Sequence, residues 1–377
     1  MSVYGTRDAA VNFQKEVTKL MVSLGLEQAK YNASLYCRRG TGFNRTHGAA
    51  HGGVEGLRKW NEGKLVVLVH GDDFVASGNR RDIAEFRQSL RKRFTVKDKI
   101  VGSRSDLDEV SGTRILNRIV RWTSSGWEYE ADQRHAEIIV QSMNLDNSQS
   151  VKTPGEEVPT WKVQEEEEDL PATQITKYRM IAARANYLST DRMDIQFAVK
   201  ECCRGMAAPL QKHWNLFKRL GRYLVGRERM VVCYQWQGEE GIRAYSDSDW
   251  AGDMPITTCS HTGTMITLND TPIRWRSKKQ PKTSRSSAEA EIYALSETIG
   301  ETRHLGCKMR EFGMKVTEPY TIYVDNEQCS SFTKNITVNS RLRTTFDSKD
   351  TWVKELRDAG AVKLTWIPSA DNPADLM

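Results

Sequence analysis

Acids stand at the ends of apolar segments throughout the last third of the chain, and that arrangement constrains the fold more than any other feature. The stretch "IRAYSDSDWAGD" (242–253) reads as a strand with Asp247 and Asp249 on alternating positions, so both face one side. "SSAEAEIYALSETI" (286–299) opens a helix with Ser286 or Ser287 as its cap. "YTIYVDNEQ" (320–328) is an apolar strand running into Asp325, and "IPSADNPADLM" (367–377) places Asp371 and Asp375 around Pro373. A single acid at a strand end reads as a turn former. Four carboxylates converging from separate elements repel one another unless a positive charge lies between them. A pair of Mg²⁺ ions, with Mn²⁺ as the alternative, supplies it, because hard cations take oxygen ligands and leave room for water and phosphate oxygens. Two such ions about 3.5–4 Å apart activate water and stabilise a leaving oxygen in phosphodiester cleavage.

A second acidic feature lies near the start. "KLVVLVHGDDFVASG" (64–78) climbs an oily run, Leu65–Val69, to His70 and Gly71, then turns through Asp72 and Asp73 into Phe74–Val75–Ala76. This predicts a hairpin with two adjacent like charges at its tip.

Around these features the pattern alternates helix and strand. Apolar spacing predicts a helix over 8–25 stopped by Gly25, a strand at 34–39 and a helix over 80–93 opened by Asn79. Residues 40–56 are glycine-rich and read as a loop; His47 and His51 there have no acidic or cysteine companion. Short strands follow over 114–131 with a Ser125–Gly126 turn, then a helix over 132–145. Residues 153–173, with three prolines and the acidic run Glu165–Asp169, read as a linker or surface loop. Helices resume over 174–188, 192–206 and 209–226. Strands, a helix over 286–312, a strand at 319–325, a helix near 347–358 and a last strand, "VKLTWIP", complete an α/β pattern.

The bulk numbers exclude some classes. No apolar stretch reaches the roughly 18 residues of a membrane span, and no secretory signal is visible. The seven cysteines are odd in number and form no C-x-x-C pair, which argues for free thiols rather than a disulfide framework or a zinc knuckle. Net charge is +6, and residues 1–100 hold 18 Lys+Arg against 10 Asp+Glu. That bias fits a polyanionic partner or a solvated helix face.

Taken in order, these segments resemble the reverse transcriptase and ribonuclease H region at the C-terminal end of the Pol polyprotein of copia-type LTR retrotransposons. "VYGTRDAAVNF" resembles that family's Leu-Tyr-Gly-Leu-Lys-Gln-(Ala/Ser)-Pro-Arg-x-Trp segment, and "LVVLVHGDDFVASG" its Tyr-Val-Asp-Asp hairpin. "KHWNLFKRLGRYLVG", "YSDSDWAGD", "IRWRSKKQPKTSRSSAEAEIYAL", "YVDNEQC" and "IPSADNPADLM" follow in the family's order. The resemblance implies an α+β partial polymerase palm and thumb over 1–157, a linker and helical connection over 158–240, and a ribonuclease H-like α/β domain with a mixed sheet over 241–377.

It also implies roles. Asp72 and Asp73 would hold polymerase metals, and Asp247, Glu291, Asp325 and Asp375 would form the ribonuclease H quartet. Glu291 is preferred to Glu289 because it precedes Ala294 by three, as the family's Glu-x-x-Ala pattern requires; helical angles do not separate the two. Arg276, Lys278 and Lys279 would contact phosphate, and Lys212, His213, Lys218, Arg219 and Arg222 would track a duplex backbone. The implied partner is an RNA–DNA hybrid or other nucleic acid, alongside the rest of a Pol polyprotein and without a membrane. The implied location is intracellular, in cytoplasmic virus-like particles or the nucleus.

Departures from the pattern shape the expectation. His70 and Gly71 replace the family's tyrosine and valine, and "TTFDSKD" (344–350) replaces its His-Ile-Asp segment. The chain starts downstream of the third palm aspartate and the fingers, so the polymerase half is expected to be inactive alone. Two readings follow: a metal-dependent ribonuclease H beside an incomplete RNA-directed DNA polymerase, or a non-catalytic, nucleic-acid-binding relic of a decayed element.

Overall fold

The computed structural model describes residues 7–38, 64–104, 108–155, 168–236, 241–252, 258–314, 316–326 and 348–377. The glycine-rich stretch 40–56 with its two histidines, most of the acidic run at 165–169, most of "TTFDSKD" and Cys329 lie outside them. The chain forms two compact units, one of residues 1–100 with 303–316 and the other of 101–302 with 317–377.

In the first unit, helix α1 (Arg7–Ser23) buries Val17, Leu20 and Met21 on one face, and Gly25 ends the segment in the left-handed region at φ +73°. Strands β1 (Glu27–Gln28), β2 (Leu35–Arg38), β3 (Leu65–His70) and β4 (Asp73–Gly78) form one sheet in that order. Leu65, Val67 and Val69 alternate inward from β3. Helix α2 (Arg80–Arg93) adds Phe86 and Leu90 to the same core. Its cap is as the sequence predicts: the Asn79 side chain accepts from the Asp82 N–H at 2.9 Å.

In the second unit, β5 (Gly112–Ile115), β6 (Arg118–Trp122) and β7 (Gly126–Glu130) form an antiparallel sheet. Helices α3 (Arg134–Ser142), α4 (Ala172–Ser189), α5 (Gln196–Cys203) and α6 (Gln211–Leu224) pack into one core. Ile139, Tyr178, Ile181, Leu188, Phe217 and Leu220 lie at its centre. Strand β8 (Val231–Gln235) joins the β7 edge. The single helix expected over 192–206 is instead α5 flanked by 3₁₀ turns at Met193–Ile195 and Arg204–Met206. The fully buried Arg192 explains the first turn: its guanidinium donates to both Asp194 carboxylate oxygens and to the Arg227 carbonyl, redirecting the chain.

The sheet that carries the acids comprises β9 (Ile242–Asp249), β10 (His261–Leu268), β11 (Thr271–Lys279), β12 (Tyr320–Val324) and β13 (Val362–Trp366). Its order is β11-β10-β9-β12-β13. The β9–β10 and β10–β11 pairs are antiparallel, while β12 runs parallel to both β9 and β13. This is the mixed sheet of the expected α/β class. Helix α7 (Ser287–Glu311) packs on it with Ala290, Ala294, Leu295 and Ile299 buried. At the contact the Thr298 hydroxyl meets those of Thr264 (2.8 Å) and Ser246 (3.3 Å), so the buried polar groups satisfy one another. Helix α8 (Ser348–Asp358) precedes β13.

The α4–α5 region is welded to this sheet. The Trp275 indole N–H donates to the Ser189 carbonyl at 3.3 Å, and Phe197 lies edge-on to His261 with ring centres 6.1 Å apart. No helix among the described residues is long and apolar enough to cross a membrane. The six described cysteines are free thiols.

Candidate functional site

Strand alternation brings two acids together. Ser246 and Ser248 of β9 are buried, and Asp247 between them is half-buried. Ser246 is in parallel register with Val324, so the next residues on each strand, Asp247 and Asp325, leave the same end of the sheet side by side.

The third acid comes from the first turns of α7. The Glu289 N–H donates to Ser286 Oγ (3.2 Å), while Glu289 Oε2 accepts from the Arg285 N–H (2.8 Å). Glu289 is thus engaged in capping the helix. Glu291, two residues on and only 6% exposed, is free to turn inward. Asp247, Glu291 and Asp325 each offer a carboxylate oxygen within 4.8 Å of the others. Among the described residues this is the only group of three or more acids, histidines or cysteines so placed.

Asp375 stands beside this trio rather than in it. It is exposed on a 3₁₀ turn, Pro373–Leu376, and its charge acts on Asp247. Asp72 and Asp73 form no such group. Both are exposed at the tip of β3–β4, where His70 pairs with Asp73 and Gly71 takes φ +62°. A two-residue primed turn demands positive φ at its first position, which accounts for glycine there.

Crowding sets the electrostatics of the trio. Burial, then repulsion from Asp325 and Asp375, pushes the Asp247 carboxyl up to about 7. Burial, then repulsion from Asp247 and Asp325, pushes Glu291 up to about 8. Ser248 pulls both back only in part, Glu291 through its side chain and then its backbone N–H, and Asp247 through its backbone N–H. At neutral pH Asp247 and Glu291 therefore retain protons that a cation would displace. Three hard, anionic oxygen donors with no nitrogen or sulfur among them fit a divalent metal such as Mg²⁺ or Mn²⁺.

Residues that the sequence reading passed over hold this arrangement. Gln280, 1% exposed, donates through Nε2 to Thr262 Oγ1 (3.1 Å) and to the Ala290 carbonyl (3.0 Å) and accepts from Ser284 Oγ (3.2 Å), tying the start of α7 to β10. Gly263 is the register partner of Asp247, and a β-carbon there would collide with the Ala374 carbonyl. Asn372, 3% exposed, donates to the Ser246 carbonyl at 3.2 Å.

Several expected cationic contacts are engaged elsewhere. Arg276 and Lys278 pair with Glu301 and Glu297 of α7 at 3.1 and 3.4 Å, because β11 lies along that helix face. Arg219 donates to the Gly155 carbonyl and to Thr153, and Arg222 to the Gln149 carbonyl, bracing the segment after α3. His213 accepts from the Leu210 N–H at the start of α6.

No family model matches the chain. It is 28% identical over 315 residues to the retrovirus-related Pol polyprotein from transposon RE2 of Arabidopsis thaliana, covering 83% of this chain and 20% of that one. It is 27% identical over 325 residues to the Pol polyprotein from transposon TNT 1-94 of Nicotiana tabacum, covering 83% of this chain and 23% of the relative. The chain thus spans about a fifth of the length of these curated relatives. Among solved structures, LC11-RNase H1 in complex with an RNA/DNA hybrid aligns at 16% identity and a TM-score of 0.26, over 35% of this chain and 88% of that one.

Proposed function

We propose, from the chain's similarity to the retrovirus-related Pol polyproteins of plant transposons, that residues 241–377 are a ribonuclease H that cuts the RNA strand of an RNA–DNA hybrid with two Mg²⁺ ions. The observation that carries this reading is the trio of Asp247, Glu291 and Asp325, whose carboxylate oxygens lie within 4.8 Å of one another although they come from three separate segments of the chain.

In this reading Asp247, central in the sheet, would contribute to holding both ions, with Glu291 and Asp325 completing one site and Asp375 the second. Bound divalent ions supply activation of the attacking water and stabilisation of the leaving oxygen. The chain's part is to hold the donors in place before substrate arrives. The sheet end fixes Asp247 and Asp325, and the capped first turn of α7 fixes Glu291. Burial of Glu291 keeps competing water away from its side of the site. Selection of a hybrid rests on groove shape and on the 2′-hydroxyl rather than on base edges.

The same reading assigns residues 1–157 to a polymerase remainder and 158–240 to its linker and connection. Exposed Asp72 and Asp73, with no third acid joining them among the described residues, support a hairpin that does not polymerise alone. The test is incubation of the full chain with an end-labelled RNA–DNA hybrid. Cleavage of the RNA strand that needs Mg²⁺ and vanishes in Asp247→Asn is expected. Binding of the hybrid without cleavage at any Mg²⁺ or Mn²⁺ concentration favours the alternative, a non-catalytic relic.

A further inference from the structure

Asp247 lies in β9, Glu291 in α7 and Asp325 directly after β12, whereas Asp375 belongs to a short 3₁₀ turn. It rides on a four-residue 3₁₀ turn at the C-terminal end, in an exposed position, yet its charge reaches Asp247. Something must hold that turn against the sheet.

We infer that Asn372 is the positioning residue that sets Asp375 against Asp247 and so decides whether the second metal ion is held. Its buried amide works in two directions. Nδ2 donates to the carbonyl of Ser246, the residue just before Asp247, at 3.2 Å. Oδ1 accepts from the Ala374 N–H at 3.1 Å, capping the turn. One partner is a carbonyl and the other an N–H, so the orientation of the amide is fixed by its neighbours. The Asn372 carbonyl also accepts from the Asp375 N–H at 3.1 Å.

Gly263 completes the device from the other side. It faces Asp247 across the β9–β10 pair, and its bare backbone admits the Ala374 carbonyl. The turn therefore rests on β9, which carries Asp247, and on its neighbour β10. Asn372 touches no metal donor itself. It acts through Asp375, as an outer-shell partner orients a ligand.

This inference rests on the ribonuclease H reading, and calorimetry keeps the two apart. Mg²⁺ is titrated into the full-length protein, alongside measurement of hybrid cleavage against Mg²⁺ concentration. Wild type is expected to bind two ions. Asn372→Ala and Asp375→Asn are each expected to weaken the second ion about 10- to 100-fold and to move the Mg²⁺ dependence of cleavage by the same factor. The double variant is expected to show no further shift, because both changes remove one arrangement. Asn372→Ser retains a capping hydroxyl but cannot reach the Ser246 carbonyl. It guards against misfolding of the alanine variant and is expected to give the same loss of the second ion. A structural role alone would lower thermal stability without this shared, non-additive shift. If Asp375→Asn weakens the second ion while both Asn372 variants bind Mg²⁺ as wild type does, the inference is overturned and the nuclease reading stands. If wild type binds no Mg²⁺, both are overturned.

Discussion

Asp247 and Gly263 face each other across the antiparallel pair β9–β10, and the residue without a side chain is the one that lets the C-terminal turn close over the sheet. Replacing Gly263 with alanine forces its β-carbon against the Ala374 carbonyl, a backbone atom that cannot swing aside. Gly263→Ala is expected to destabilise the protein by about 1–3 kcal/mol, the usual cost of overpacking, and to displace Asp375. Urea denaturation followed by circular dichroism measures the first effect; an unchanged midpoint counts against the packing described.

The raised carboxyls make stability depend on pH. Asp247 and Glu291 titrate near 7 and 8 in the fold, above their ordinary values of 3.8 and 4.5. A carboxyl raised in the folded state contributes stability that is fully present below its unfolded value and is lost as pH climbs through the folded one. Metal-free protein is therefore expected to lose stability between about pH 4 and pH 8. Mg²⁺ is expected to reverse that loss, since it favours the ionised trio. Asp247→Asn is expected to flatten the profile and to raise metal-free stability at pH 8 by about 0.5–2 kcal/mol. Thermal melts across this range, with and without Mg²⁺, check all three statements.

Two glutamates two residues apart are expected to behave differently. Glu289 closes the cap of α7, so Glu289→Ala is expected to cost about 1 kcal/mol of stability and to leave the cleavage rate near that of wild type. Glu291 lies in the trio, so Glu291→Gln is expected to reduce cleavage by more than the roughly 10- to 100-fold typical of an outer-shell partner. Steady-state cleavage beside a denaturation curve separates them; equal losses of activity in both variants contradict the assignment.

The β3–β4 hairpin supplies a fourth prediction. Gly71 holds φ +62°, a region that costs a β-branched residue about 1–2 kcal/mol. Gly71→Val, which installs the family's residue, is expected to lower stability by about that amount and not to confer primer extension. Extension of a labelled primer by the wild-type chain would contradict the reading of Asp72 and Asp73.

Much of this site was legible in the sequence because its signals are local. Alternation along β9 and the apolar run into Asp325 predict two acids at strand ends, and Asn79 and Gly25 mark helix boundaries where the structure has them. Helical angles left Glu289 and Glu291 unresolved, and only the hydrogen bonds of Ser286 and Arg285 show which one caps the helix. Asn372, Gly263 and Gln280 were not legible. An asparagine before a proline and a glycine inside a strand carry no mark of distant partners, and Asn372 meets a carbonyl 126 positions away. Arg276 and Lys278 show the same limit: a basic run carries no sign that the helix supplying Glu297 and Glu301 lies beside it.

The central claim is that these acids are gathered because divalent cations lie among them. Anomalous diffraction from crystals of the full chain soaked in Mn²⁺ tests it most directly. The account predicts two peaks, one between Asp247, Glu291 and Asp325 and one between Asp247 and Asp375, both absent in Asp247→Asn. Manganese density that avoids the trio, or that persists there in Asp247→Asn, contradicts it.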